Sequence, residues 1–151
     1  MMQTILGLVG LALLAAAPIM IFQGLAGRRG VVGELERQRI SFPPTGLPAT
    51  LGAYAGRPVR TGAEARAYAE LIAGHVTAAT GGRSYAEIAA ECQNSGNNEK
   101  LGKLRETAFM GETLRGALLG AYQAWQVTLL VIGLGALCAA IGVGFVALAL
   151  A

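Results

Sequence analysis

The chain has 151 residues, 54% hydrophobic and 14% charged, with a positive mean hydropathy. Its 12 basic and 9 acidic side chains all fall between Arg28 and Arg115, so two bare apolar ends flank one polar middle. The net charge of +3 is too small and too scattered for a nucleic-acid footprint, and one histidine with two cysteines cannot supply the four Cys or His ligands of a structural zinc site or the second His of a two-histidine iron site.

Ile5 to Phe22 is an unbroken apolar run. At about 1.5 Å per residue it reaches roughly 27 Å, and Gln23 to Ala26 complete a membrane crossing. A retained span is expected rather than a cleaved signal peptide, because Met1-Met2-Gln3-Thr4 has no Lys or Arg and the small-residue site Ala15-Ala16-Ala17 is followed by Pro18. Pro18 should kink the helix. Residues 1–27 are therefore read as the first span, with Arg28 and Arg29 as anchors at the headgroups. Val31 to Arg39 can continue that helix into water.

Residues 28–60 are otherwise read as irregular or extended. Ile40-Ser41-Phe42 should be extended ahead of Pro43 and Pro44, and Pro43 to Pro58 carries four of the five prolines. Residues 61–121 read as a helical soluble region. Thr61 and Glu64 form a T-x-x-E capping box, and Tyr68, Leu71, Ile72, His75, Val76 and Ala79 make one apolar stripe behind it. His75 is expected to be packed on that stripe. Gly81-Gly82 should end this helix. Ser84 and Glu87 repeat the capping box and open a shorter helix to about Cys92. Gln93 to Asn98 reads as a polar loop. From Glu99, Leu101, Leu104, Ala108, Gly111, Leu114 and Leu118 lie near one face, with Glu99–Lys103 and Glu112–Arg115 as helix-compatible ion pairs. This helix can run without a break into the last span.

Residues 122–151 are the second span. Tyr122 and Trp125 sit where an aromatic belt marks the interface. From Val127 to Ala151 there is no charge, and about 37 Å of helix. Two small-residue stripes, Ala136, Ala140 and Gly144, and Gly135, Ala139 and Gly142, are the candidate helix-packing residues. Small residues let backbones approach in lipid, where the hydrophobic effect gives no drive. Their partner could be the first span, a second copy or another protein. The expected fold class is thus an all-α integral membrane protein, with two transmembrane helices flanking a small, mainly helical soluble domain.

No catalytic, cofactor-binding or metal-binding residue is expected. A Ser-His-acid set would have to join His75 to Ser41, Ser84 or Ser95, and no G-x-S-x-G elbow exists. Cys92 at a helix end, and Glu87 with Glu91 four apart, read as ordinary surface chemistry. Gly142 to Ala147 matches G-x-G-x-x-A but lies inside an apolar span, with neither a preceding strand nor a following acid. Cys92 and Cys138 should lie at different depths, which argues against an internal disulfide.

Gly56-Arg57-Pro58-Val59, Ala67-Tyr68-Ala69-Glu70-Leu71-Ile72, His75, and Ala79-Thr80-Gly81-Gly82-Arg83-Ser84-Tyr85-Ala86-Glu87 together resemble a group of small two-helix actinobacterial membrane proteins. These often carry the label aromatic ring-opening dioxygenase. The likeness covers roughly residues 32–151. It implies a two-pass protein of the bacterial cell membrane with its middle segment outside the cytoplasm. The dioxygenase label does not fit the residues, since the iron ligands are missing by count. The positive-inside rule points the other way, because Arg28, Arg29, Lys100, Lys103, Arg105 and Arg115 all flank the middle. That rule weakens for loops longer than about 60 residues, and the outside placement is the expectation adopted.

The functional expectation is a non-catalytic accessory or scaffolding subunit of a larger membrane complex, such as a respiratory or other energy-converting one. Its partners would be other membrane subunits and the lipid bilayer, not nucleic acid. The alternative is a self-associating membrane sensor, or a protein that binds a ligand or envelope component through a small extracytoplasmic domain.

Overall fold

The computed structural model describes residues 2–96 and 98–150. Met1, Asn97 and Ala151, which the sequence assigns to the first span, the polar loop and the last span, lie outside them. Four α-helices follow in order: α1 (Met2–Gln38), α2 (Gly62–Thr80), α3 (Tyr85–Asn94) and α4 (Glu99–Leu150), with a 3-10 helix at Ala49–Tyr54. No strand occurs among the described residues. A single antiparallel bridge joins Ser41 to Pro58. α1 and α4 are each long and apolar enough to cross a membrane. The chain divides into two units, residues 1–34 with 123–151, and residues 35–122.

In the first unit α1 and α4 pair antiparallel. α1 is continuous through Pro18 and runs on to Gln38, so Val31 to Gln38 do continue the helix beyond Arg28 and Arg29. Leu35, buried, gives that extension an apolar anchor. The helix stops at Arg39, whose φ of 52° leaves the helical region while its N–H still donates to Glu36 O at 3.1 Å.

The second unit has a conventional small core, built around Phe42. Its ring stacks on Tyr54 at 5.1 Å and meets the edge of Tyr68 at 5.0 Å. Phe42 is held there by the extended segment the prolines impose: Phe42 N–H donates to Arg57 O and Val59 N–H to Ile40 O, both at 2.9 Å. The 3-10 helix is the one ordered piece of the stretch read as irregular, and it buries Leu51.

Both capping boxes form. Thr61 caps α2 with Glu64, and Ser84 caps α3 with Glu87. α2 ends where Gly81 adopts φ 64° and Gly82 φ 81°, and both N–H groups return to Thr77 O. α3 continues two residues past Cys92, taking Gln93 and Asn94 out of the expected loop. α4 opens on Asn98, whose Oδ1 accepts from Leu101 N–H at 3.2 Å, and is unbroken for 52 residues into the last span.

Two expectations fail in this unit. His75 is exposed, not packed. α2 is buried on most sides as far as Leu71, whereas beyond it only Thr80 is buried, so His75 is exposed although it lies one turn from Leu71. Leu114 is also exposed, at 52%, although Ala108, Gly111 and Leu118 of the same stripe are buried.

Candidate functional site

The best-defined feature is the seam between α1 and α4 in the first unit. Gly10, Ala17 and Gly24 of α1 are buried, each seven residues from the next, and so are Thr128, Gly135 and Gly142 of α4. The contacts pair them in register. A Cβ on Gly10 would sit 2.9 Å from Gly142 O, and a Cβ on Gly142 would sit 2.9 Å from Gly10 O. A Cβ on Gly135 would lie 3.0 Å from Ala17 O, and one on Gly24 would lie 3.0 Å from Thr128 O. As α1 advances by seven, α4 recedes by seven. A seven-residue repeat is the period of a left-handed helix pair, and small residues at each level bring the backbones together.

The two stripes proposed from the sequence therefore have different places. Gly135 and Gly142 are buried against α1, with Ala139 half-buried beside them. Ala136, Ala140 and Gly144 are exposed, and nothing lies within 4 Å of a Cβ built on Gly144. Gly10, Ala17, Gly24 and Thr128 were not singled out in the sequence. The seven-residue spacing within α1 is the signal that would have found them. Thr128 brings a hydroxyl into the seam and satisfies it locally, donating to Trp125 O at 2.7 Å.

The seam ends one helical turn beyond Gly24 and Thr128. There the Arg28 guanidinium lies over the Trp125 ring, 4.0 Å from its centroid, and both residues are half-buried. Arg29 is exposed. Tyr122, the fourth expected interface anchor, belongs to the second unit. Its hydroxyl accepts from Arg66 at 3.5 Å, and the Arg66 guanidinium lies 5.5 Å from its ring.

In the second unit the densest polar cluster is Glu64. The residue is buried, and its carboxylate accepts from Arg57 Nη2 at 2.8 Å, Arg60 N–H at 2.9 Å and Thr61 N–H at 3.0 Å. Burial raises its pKa, but the Arg60 and Thr61 hydrogen bonds and the Arg57 charge outweigh that and hold it below the ordinary carboxylate range. This cluster ties the Ser41–Pro58 loop to the start of α2. Glu87 is likewise lowered, by the Ser84 N–H and hydroxyl.

A cleft of about 730 Å³ opens between α3 and the start of α4, lined by Tyr85, Lys103, Arg105 and Phe109 among others. A smaller apolar cavity of about 170 Å³ is lined by Ile40, Tyr68, Ile72 and Leu118. Cys92 and Cys138 are both free and half-buried. Among the described residues no group of three or more His, Cys, Asp or Glu side chains is placed to hold a metal ion. Compared with protein-family models, with curated proteins and with solved structures, the chain matches none.

Proposed function

We propose that the chain is a non-catalytic accessory or scaffolding subunit of a larger assembly in a bacterial cell membrane. In this reading α1 and α4 cross the bilayer, and the unit of residues 35–122 stands in water on the extracytoplasmic side. The observation that carries the reading is the exposure of the apolar helices. In the most apolar stretch of each, 11% of the residues are buried. Leu8 is 65% exposed and Leu130 62%. Buried apolar surface contributes about 25 cal/mol per Å², so a pair left bare in water would forgo most of its stabilisation. Lipid and neighbouring helices supply the missing surroundings.

The second small-residue stripe supports the accessory role. α4 uses Gly135 and Gly142 on α1 and still presents Ala136, Ala140 and Gly144 outward, in the spacing that lets another transmembrane helix approach. The likeness of residues 79–87 to the small two-helix actinobacterial group points to the same kind of protein. Purification from native membranes through a tag on this chain, followed by mass spectrometry and a visible absorption spectrum, tests the proposal. Stoichiometric membrane subunits are expected, and haem or pigment among them would narrow the complex to an energy-converting one. Recovery of this chain alone would overturn the accessory role. The cleft beside Tyr85 and Phe109 would then favour the second reading, a self-associating membrane sensor that binds a ligand through its soluble unit.

A further inference from the structure

We infer that Arg28 and Arg29, with Trp125, form a binding site for the phosphate of an anionic phospholipid at the end of the helix pair. The inference rests on the membrane reading and adds a specific ligand to it. Three observations carry it.

The first is depth. Gly24 and Thr128 form the last paired level of the seam. Arg28 lies four residues beyond Gly24, about 6 Å along the axis. Both sides of the pair turn polar at that level, with Arg28 and Arg29 on α1 and Gln123 and Gln126 on α4. A helix pair whose apolar lengths lie in hydrocarbon places this level among the headgroups, where tryptophan also concentrates.

The second is unmet hydrogen-bonding capacity. The Arg28 guanidinium sits over the Trp125 ring, its central carbon 4.0 Å from the centroid. The group carries five N–H donors. Among the described residues no hydrogen bond or ion pair engages either Arg28 or Arg29. A guanidinium presents a rigid fork of donors that matches two phosphate oxygens at once. The contact with Trp125 restricts the Arg28 side chain, so less side-chain freedom is lost when phosphate binds.

The third is the charge of the unit. Residues 1–34 and 123–151 contain Arg28, Arg29 and a single acid, Glu34. Glu34 lies nearly two turns from Arg28, on a different face of α1, and already has an interaction of its own. The two arginines thus have no internal counter-charge within reach, and an anionic headgroup supplies it. Arginines near a membrane surface each contribute on the order of 1 kcal/mol to anionic-lipid binding.

Trp125 is the only tryptophan in the chain and lies against Arg28, so it reports on the site directly. The test uses the full chain purified in a neutral detergent, with emission excited at the tryptophan edge. It is titrated separately with short-chain phosphatidylglycerol, short-chain phosphatidylcholine and inorganic phosphate. Phosphatidylglycerol is expected to give a saturable change that weakens at high salt, while the other two give none. R28Q/R29Q should weaken the phosphatidylglycerol response by roughly tenfold or more. R28K/R29K, which keeps the charges but loses the fork, should fall between. R105Q, in the other unit, should match the unaltered chain. Circular dichroism establishes that each variant keeps its helix content.

An equal response to phosphatidylcholine, or no response to phosphatidylglycerol, would overturn the site. An equal response to inorganic phosphate would overturn the lipid assignment, as would an unchanged response in R28Q/R29Q. Failure of the membrane reading is seen separately and earlier: the chain would be recovered in the aqueous fraction without detergent, before any lipid is added.

Discussion

α4 takes part in both units, and a buried glycine does different work in each. In the hairpin, Gly135 and Gly142 meet backbone as well as side chains: Ala17 O and Gly10 O lie among their nearest partner atoms, beside Ile21 and Leu14. In the central unit, Gly111 faces side chains, and a Cβ there would overlap Val76 Cγ2. The hairpin joins through close backbone approach, with Leu14, Ile21, Ile132 and Val146 packed beside the glycines and many of its other large apolar side chains turned outward. The central unit joins through an aromatic cluster at Phe42, two capping boxes and the Glu64 network. In the membrane reading proposed above, the contrast follows from the surroundings of each unit. Where hydrocarbon is the solvent, burying a leucine gains little and packing fit decides. Where water is the solvent, burial of Phe42, Val59 and Ile88 drives folding and buried polar groups such as Glu64 find partners, the Thr80 hydroxyl being an exception.

The probes for this contrast are separated by the sequence. Tyr54, Tyr68, Tyr85 and Tyr122 all lie in the central unit, while Trp125 lies in the hairpin. The largest expected effect is from Gly142→Leu, which forces a branched side chain against the Gly10 carbonyl. Overpacking of this kind costs about 1–3 kcal/mol or more, and here it acts on the backbone contact itself. Tryptophan-detected unfolding in detergent should shift strongly, while the tyrosine signal keeps its transition. A shift of both together would show that the units do not differ in this way.

Glu64→Ala should do the reverse. It leaves the N–H groups of Arg60 and Thr61 without their carboxylate and removes the Arg57 partner, at a cost of about 1–2 kcal/mol, read in the tyrosine transition. The sign of the pH effect follows from the lowered pKa. Glu64 is charged more readily in the folded than in the unfolded unit, so its contribution is complete above the unfolded value near 4.5 and is lost as pH falls through the folded one. Acid should destabilise the unaltered central unit more steeply than the Glu64→Ala variant. Equal acid sensitivity of the two would remove Glu64 as the cause.

The smallest effect concerns the end of α1. Arg39 holds φ 52° with a side chain that disfavours it. Arg39→Gly should stabilise the central unit by up to about 1 kcal/mol, seen as a modest rise in the tyrosine midpoint. A fall would mean that the Arg39 side chain contributes more than its backbone costs.

Local rules made much of this legible from sequence. Thr61 with Glu64, Ser84 with Glu87, and Gly81-Gly82 encode their caps within four residues, and each forms. The charge-free runs identify both apolar helices, and Glu99 begins a helix that does continue into the last one. What the sequence could not decide was which face meets which. Ala136, Ala140 and Gly144 have much the same helical spacing as Gly135, Ala139 and Gly142, and only the opposing Gly10, Ala17 and Gly24 select between them. His75 fails for a related reason. Tyr68, Ile72 and Val76 of its stripe do meet Phe42 and Gly111, but how far that packing reaches along α2 is set from elsewhere in the chain, and it leaves His75 and Ala79 exposed. The 3-10 helix at Ala49–Tyr54 has neither strong periodicity nor a side-chain cap to announce it.

The seven-residue antiparallel register holds α1 and α4 together, and the native Cys138 allows it to be tested directly. Leu14 lies one turn from Gly10 and Cys138 one turn from Gly142, so the register sets the two at the same level of the seam. In a Cys92→Ser background, L14C should oxidise rapidly to an intrachain disulfide with Cys138. L11C, on the exposed side of α1, should not. Cross-linking at L11C as fast as at L14C, or none at L14C, would contradict the seam.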